Sequence, residues 1–294
     1  MFQLFTFIQS TPSDWIKDGI VITRESLKAI KPVYTAYRVY LYLLFRLRVL
    51  AATWRDWLDR RAGDPVPLPP AILRYRVHGG LDKESFLQVG ERLAQNIRDL
   101  LAGVGCEIGD FEHILDFGCG CGRVIRNFQD TPETCHFYGT DIDPELVGWC
   151  QKHLHTVQWS TNGYQPPLTY ADGAFDLIYA ISVFTHLDEQ LQHLWLRELE
   201  RIARPGAILI LSVHGESTVG GLNHSDLEVF HACGFLYLVG ARGILKLDGL
   251  PDFYQTAYHT QAYVERVWSG YFEILSYVER GIDNFQDAVV MRKR

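Results

Sequence analysis

Apolar positions along this chain keep two different periods. From Phe86 through Gly90, Leu93, Ala94, Ile97, Leu100 and Leu101 they recur every three or four residues, which predicts a helix over about 83–102. After that come short apolar runs that end in acids or glycines. Ile114-Leu115 reaches Asp116, His136–Thr140 reaches Asp141, and a third run lies near Val157–Ser160. Phe175–Ile181 is continuously apolar apart from Asp176, and Ala207–Val213 runs into His214-Gly215. Continuous apolar runs of this length fit central strands covered on both faces. Helical stretches separate them. Asp143-Pro144 opens one as a cap followed by a first-turn proline, and Asp188 opens another with Leu191, Trp195, Leu199 and Ile202 as its apolar stripe and Pro205-Gly206 as its stop. Five strand–helix alternations predict an α/β fold with a doubly wound, mostly parallel sheet. Its ligand crevice lies beyond the carboxyl ends of the strands, where Asp116, Asp141, Ser182, His186 and His214 fall.

The ends of the chain read differently. Residues 33–54 form one helix, apolar around most of its circumference and broken by Arg38, Arg46 and Arg48, so no uncharged run of about eighteen residues is there to span a bilayer. Either it is buried against the rest of the chain or a second copy, as in a homodimer, or it is an interfacial helix in contact with a membrane, with snorkelling arginines. Arg60, Arg61, Gly63 and Pro65, Pro67, Pro69 and Pro70 mark a boundary, giving an N-terminal helical extension over 1–70 and a main domain over 71–294. Phe2–Ile8 has neither a basic start nor a small-residue cleavage site, so a secretory signal is not expected. In the last third, Phe235–Gly240 and Gly243–Leu247 are expected to pair around Ala241-Arg242, and a helix runs through Tyr263, Val267 and Trp268. Two final strands, Phe272–Val278 and Ala288–Met291, join through Arg280-Gly281.

Between the first strand and the next helix stands Asp116-Phe-Gly-Cys-Gly-Cys-Gly, with glycines at 118, 120 and 122. A strand feeding a glycine loop brings bare backbone against a nucleotide-like ligand, and an acid before the loop suits a cation or amine better than a phosphate. Arg123 stands where the third glycine of a dinucleotide fingerprint is needed. Together with Asp141 about twenty-five residues on, the Phe-Asp-Leu-Ile strand and the Ser-Val-Phe-x-His-Leu turn, this resembles the class I S-adenosylmethionine-dependent methyltransferases. The resemblance covers about residues 80–294. It implies S-adenosyl-L-methionine as cofactor, a Rossmann-like seven-stranded sheet with an antiparallel last strand, and a 216–259 insertion after the fifth strand that serves as substrate or lid region. It further implies a cofactor set of Asp116, Gly118, Cys119, Gly120, Gly122, Asp141 (ribose), Ile142 (adenine face), Asn162 (adenine edge) and Ser182. A leading helix in the family often covers the cofactor, so the Tyr75–His78 segment either reaches the ligand or is a loop contacting nothing.

Composition changes this picture little. With 294 residues, 47% apolar and 21% charged, the chain can bury a full core. A net charge of −7 and a pI near 5.9 disfavour a nucleic-acid partner. A nucleic-acid methyltransferase would also want an Asn/Asp-Pro-Pro-aromatic element after the fourth strand, where Ala180-Ile-Ser-Val-Phe stands. Six cysteines without framework spacing fit a reducing, cytoplasmic setting, and Cys119 and Cys121 lack a partner pair, so no metal is expected. The expected reaction is in-line methyl transfer to a small-molecule acceptor, most readily an oxygen, with His214, His259 or His186 as general base and Tyr75, Tyr254 and Tyr258 lining the substrate. The alternatives are N- or C-methylation of a small metabolite, or a non-catalytic S-adenosylmethionine-binding protein. A Rossmann oxidoreductase is disfavoured by Arg123 and the last two strands.

Overall fold

A computed structural model describes residues 31–58, 66–128, 130–240 and 255–294, apart from the side chains of 31–34. The described residues fall into two compact units, with Leu87 opening the larger one.

The smaller unit contains a long helix, Lys31–Leu58 (α1), and a short one, Ala71–His78 (α2). The Phe45 ring lies 4.5 Å from that of Tyr75. Buried Arg74 donates to Asp56 Oδ2 at 2.8 Å, to the Pro69 carbonyl at 2.8 Å and to the Leu81 carbonyl at 2.7 Å. The Tyr75–His78 segment is therefore helical. Pro70 precedes its first turn, and Gly79 ends it with φ 72°, a left-handed cap that a side chain would oppose.

A helix at Lys83–Gly103 (α3) leads into the larger unit. There the strands are β1 His113–Phe117, β2 His136–Asp141, β3 Val157–Thr161, β4 Phe175–Ala180, β5 Ala203–Val213, β6 Phe235–Leu238, β7 Thr256–His259, β8 Glu273–Ile282 and β9 Gln286–Arg292. The helices are α4 Pro144–His153, α5 Glu189–Ile202, α6 His224–Cys233 and α7 Gln261–Trp268. Seven strands form one sheet in the order β3-β2-β1-β4-β5-β9-β8, parallel except for β9, which is antiparallel to both neighbours. The sheet is covered on both faces. Leu115, Ile178 and Leu209 join Trp195, Leu199 and Trp268 on one side, while Ile114, Leu177 and Ile208 join Leu93, Ile97 and Leu101 on the other. Asp176, the lone acid in β4, accepts from the Glu112 and His113 amides at 2.9 and 2.8 Å and so caps the start of β1.

Two expectations are corrected, and a third falls partly outside the described residues. β6 pairs with β7, and the 243–247 strand expected to pair with it lies outside the described residues. Arg280-Gly281 sit within β8 at a register shift, and the reversal comes at Asp283 and Asn284, both with positive φ. Helix α5 ends at Ile202, ahead of Pro205-Gly206, because Ala203 already turns extended while its amide caps onto Leu199; the proline and glycine belong to β5.

Candidate functional site

The glycine loop folds over the ends of β1 and β2. Gly118 and Cys119 donate to the Thr140 carbonyl at 2.8 and 3.1 Å, which draws the loop onto β2. Gly118, Gly120 and Gly122 take φ of 81°, 55° and 72°, and a Cβ on Gly118 would stand 2.3 Å from Val183 Cγ2. Glycine is required there twice, by conformation and by space. Gly90 brings α3 equally close to the far side of the loop: its Cβ would meet the Arg123 carbonyl at 2.4 Å.

Asp141 closes the loop. Its Oδ2 accepts from Gly120 N at 2.8 Å and its Oδ1 from Asp143 N at 2.9 Å. Each oxygen keeps a second acceptor site, which fits two hydroxyls of a diol. Burial raises its pKa to about 6 against these amides. Asn162 stands beside it, donating its amide to the Asp141 carbonyl at 3.0 Å and accepting from Thr140 Oγ1 at 3.0 Å. Ile142 is half-buried at the same edge.

Asp116 is the most perturbed acid. It is buried, and neither its Oδ2 nor the adjacent Tyr179 hydroxyl has a hydrogen-bond partner among the described residues. Burial pushes its pKa to about 8; the nearby Tyr179 hydroxyl and Arg123 act downward, Asp141 upward. A buried carboxylate with an oxygen left unpartnered is costly, and a cationic ligand would both pair it and restore its charge. The residues present thus fit S-adenosylmethionine, with its ammonium, sulfonium and ribose diol. Cys119 is buried with its thiol toward the Gly120 carbonyl at 3.8 Å, and burial lifts the thiol well above its ordinary pKa. Among the described residues no cluster of metal-ligating side chains is found.

Beyond β4, Ser182 takes φ 61°, unusual for a residue with a side chain. It is held by its amide on Ser212 Oγ at 2.7 Å and by its hydroxyl against the Gln286 side chain, 2.9 Å from Nε2. The β6–β7 hairpin fastens the neighbouring loops: Ala257 N donates to Thr185 O at 2.7 Å, Gln255 N to His186 O at 3.3 Å and His259 N to His214 O at 2.8 Å. His186 and His214 are brought together, ring centroids 6.3 Å apart, with Tyr258 5.5 Å from His214.

The three histidines separate by environment. His259 is fully buried among Phe235, Tyr263 and Trp268, its Nε2 2.9 Å from Gln192 Oε1. Burial, with His214 nearby, lowers its pKa to about 3. Burial, then neighbouring His186, likewise lowers His214 to about 3. His186 is only half-buried, and its Nδ1 lies 2.5 Å from the Gln255 carbonyl, so Nδ1 carries the proton and Nε2 the lone pair. Tyr75 lies in the smaller unit against Phe45, and Tyr254 lies outside the described residues.

Several neighbours escaped the sequence reading. Tyr179, Gln286 and Val183 have no local signature, because what places them is sheet order. Asp287 is another such residue. It takes the Tyr277 hydroxyl on Oδ2 at 2.7 Å, and a Cβ on Gly215 would sit 1.6 Å from that oxygen.

Residues 115–211 match the family model described as Methyltransferase domain. The chain is 27% identical over 145 residues to a malonyl-[acyl-carrier protein] O-methyltransferase of Dechloromonas aromatica, a match covering 46% of this chain and 53% of that protein. It is 30% identical over 107 residues to ajmaline N-methyltransferase of Rauvolfia serpentina, covering 35% and 36%. The chain spans about half the length of the first curated relatives it matches. An S-adenosylmethionine-dependent methyltransferase structure from Mesorhizobium loti aligns at TM-score 0.46 and 15% identity, covering 66% of this chain and 96% of that one. Residues 115–211, about a third of the chain, are thus similar to a methyltransferase domain, which agrees with the S-adenosyl-L-methionine chemistry the site's residues fit.

Proposed function

We propose that this protein transfers a methyl group from S-adenosylmethionine to a small-molecule acceptor, most readily an oxygen. The observation that carries the proposal is Asp116, a buried carboxylate with an unpartnered oxygen at the mouth of a glycine loop whose far end is clamped by Asp141. When bound, the cofactor supplies an electrophilic methyl on a sulfonium. The chain's own residues do the rest. Asp116 pairs the cofactor's amine, Asp141 accepts from its ribose, and the loop after β4 holds the acceptor for in-line attack. His186 Nε2, with its lone pair, takes the proton from an acceptor hydroxyl. His214 and His259 are too weakly basic for that task at neutral pH and hold the loops in register instead. Tyr258 lines the same end, beside His214.

The Dechloromonas relative's name, an O-methyltransferase, favours oxygen. An amine acceptor is the second reading. The low basicity of His214 and His259 favours it, since a neutral amine attacks through its own lone pair and sheds its proton after the bond has formed. The test is turnover of the purified chain with S-adenosylmethionine and panels of phenols, carboxylic acids, sugars and amines. S-adenosylhomocysteine formed with a hydroxyl or carboxylate panel, and lost in His186→Gln, supports the first reading; formation with amines alone supports the second. Cofactor binding without turnover on any panel would leave a binding protein, and affinity for NAD(H) in place of S-adenosylmethionine would overturn both.

A further inference from the structure

Helix α1 has two faces. Phe45, buried Ala52 and Asp56 look toward α2, and Asp56 is committed to Arg74. On the opposite face Tyr40, Leu43, Leu47, Leu50, Trp54 and Trp57 stand at alternating spacings of three and four and form one continuous stripe. Each is between 56% and 63% exposed. Scattered exposed leucines need no account, but six large apolar side chains on one stripe mark an interaction surface.

The charges on α1 identify what it fits. The helix carries Lys31, Arg38, Arg46, Arg48 and Arg55 against one acid, Asp56, within a chain of net charge −7. Arg46, Arg48 and Arg55 are exposed. On the helical wheel Arg46 borders one side of the stripe, while Arg55 and Arg48 lie beyond the other. A second copy of the helix would need acids beside the seam to answer these arginines, and the flanking positions Leu44, Arg46, Ala51 and Thr53 hold none. Tryptophan and tyrosine prefer the boundary between hydrocarbon and water, and arginines reach from such a helix to anionic headgroups. No described helix is long and apolar enough to cross a membrane, so contact through α1 would be along its length.

We propose that α1 lies on an anionic lipid surface, with the Tyr40–Trp57 stripe in the headgroup boundary and Arg46, Arg48 and Arg55 on the phosphates. The full chain should float with vesicles of equal parts phosphatidylglycerol and phosphatidylcholine, and bind pure phosphatidylcholine about tenfold less. Raising salt should release it. The double variant Leu47→Glu/Trp54→Glu changes two exposed side chains, so circular dichroism and melting should match the parent while vesicle binding falls about tenfold or more. Arg46→Gln/Arg55→Gln should retain the fold and lose most of the preference for anionic vesicles. Absence of binding to anionic vesicles, or equal binding by Leu47→Glu/Trp54→Glu, would overturn the proposal. So would a concentration-dependent dimer in sedimentation velocity that Leu47→Glu/Trp54→Glu abolishes while lipid binding persists; the second copy is then the occupant.

Discussion

In the proposed function, two acids at neighbouring strand ends hold the cofactor by different means. Asp141 is a satisfied clamp, each oxygen on one backbone amide, so Asp141→Ala frees the Gly120 amide and removes the acceptor for the ribose. S-adenosylmethionine affinity should weaken by about 1–3 kcal/mol, read by calorimetry; an unchanged dissociation constant would refute the ribose assignment. Asp116 is unsatisfied, and its pKa of about 8 means it is largely protonated at neutral pH without ligand. A cationic cofactor favours the ionised form, so binding should release protons and affinity should rise with pH between about 5 and 8. Calorimetry in two buffers of different ionisation enthalpy measures that release. A pH-independent affinity with no proton release would show that Asp116 does not meet the cation.

At the scale of elements, the insertion is stitched to the sheet rather than hung from it. Strand β7 bonds the segments after β4 and β5 through backbone, and Gln192, at the start of α5, links Phe184 O, Leu187 O and His259 through one side chain. Gln192→Leu leaves three buried polar groups unanswered. Urea unfolding should show a loss of about 2–4 kcal/mol with an unchanged slope, on the scale of unmet buried partners; a loss within error would mean that water or repacking replaces the amide. The glycine loop shows how close element packing constrains single residues. Gly118→Ala must push Val183 aside or leave its left-handed φ, and so should lower both thermal stability and cofactor affinity, whereas Gly148→Ala, inside α4 with nothing within 4 Å of the added Cβ, should leave affinity unchanged and raise stability by about 0.5–1 kcal/mol.

Across the molecule, buried ionisable groups set opposing pH dependences. Asp116 and Asp141 have raised pKa values, so the folded form holds protons that the unfolded chain has lost; their stabilisation is full below about pH 4 and lost as pH rises through about 6 and then 8. His214 and His259 have depressed values, so their contribution is present above about pH 6.5 and lost as pH falls toward 3. The ligand-free protein should therefore be most stable in mildly acidic solution. S-adenosylmethionine should raise the melting temperature more at pH 8 than at pH 5, because its positive charge relieves Asp116. An equal rise at both pH values would remove Asp116 from the account.

The sequence by itself determined the parts that depend on local rules. Helices α3, α4 and α5, the caps Asp143 and Asp188, the order of β1 to β5 and the loop from Asp116 to Gly122 follow from spacing, capping chemistry and the conformations open only to glycine, whereas the helix expected after the glycine loop is a single 3-10 turn at Ile125–Asn127 and none stands between β3 and β4. The same local rules placed α5's end too late and joined β8 to β9 at Arg280-Gly281, since glycine there and the Asp283-Asn284 pair both carry turn chemistry and only strand pairing chose between them. Tertiary structure alone decided which distant residues meet. Gln286 on β9 reaches Ser182 only because β9 inserts beside β5, and β7 returns to pair with β6. It also divided three similar-looking histidines, leaving His186 half-exposed and burying His214 and His259 as neutral rings. Sequence spacing fixes what a residue can be. Its protonation depends on how much water and charge the rest of the fold leaves around it.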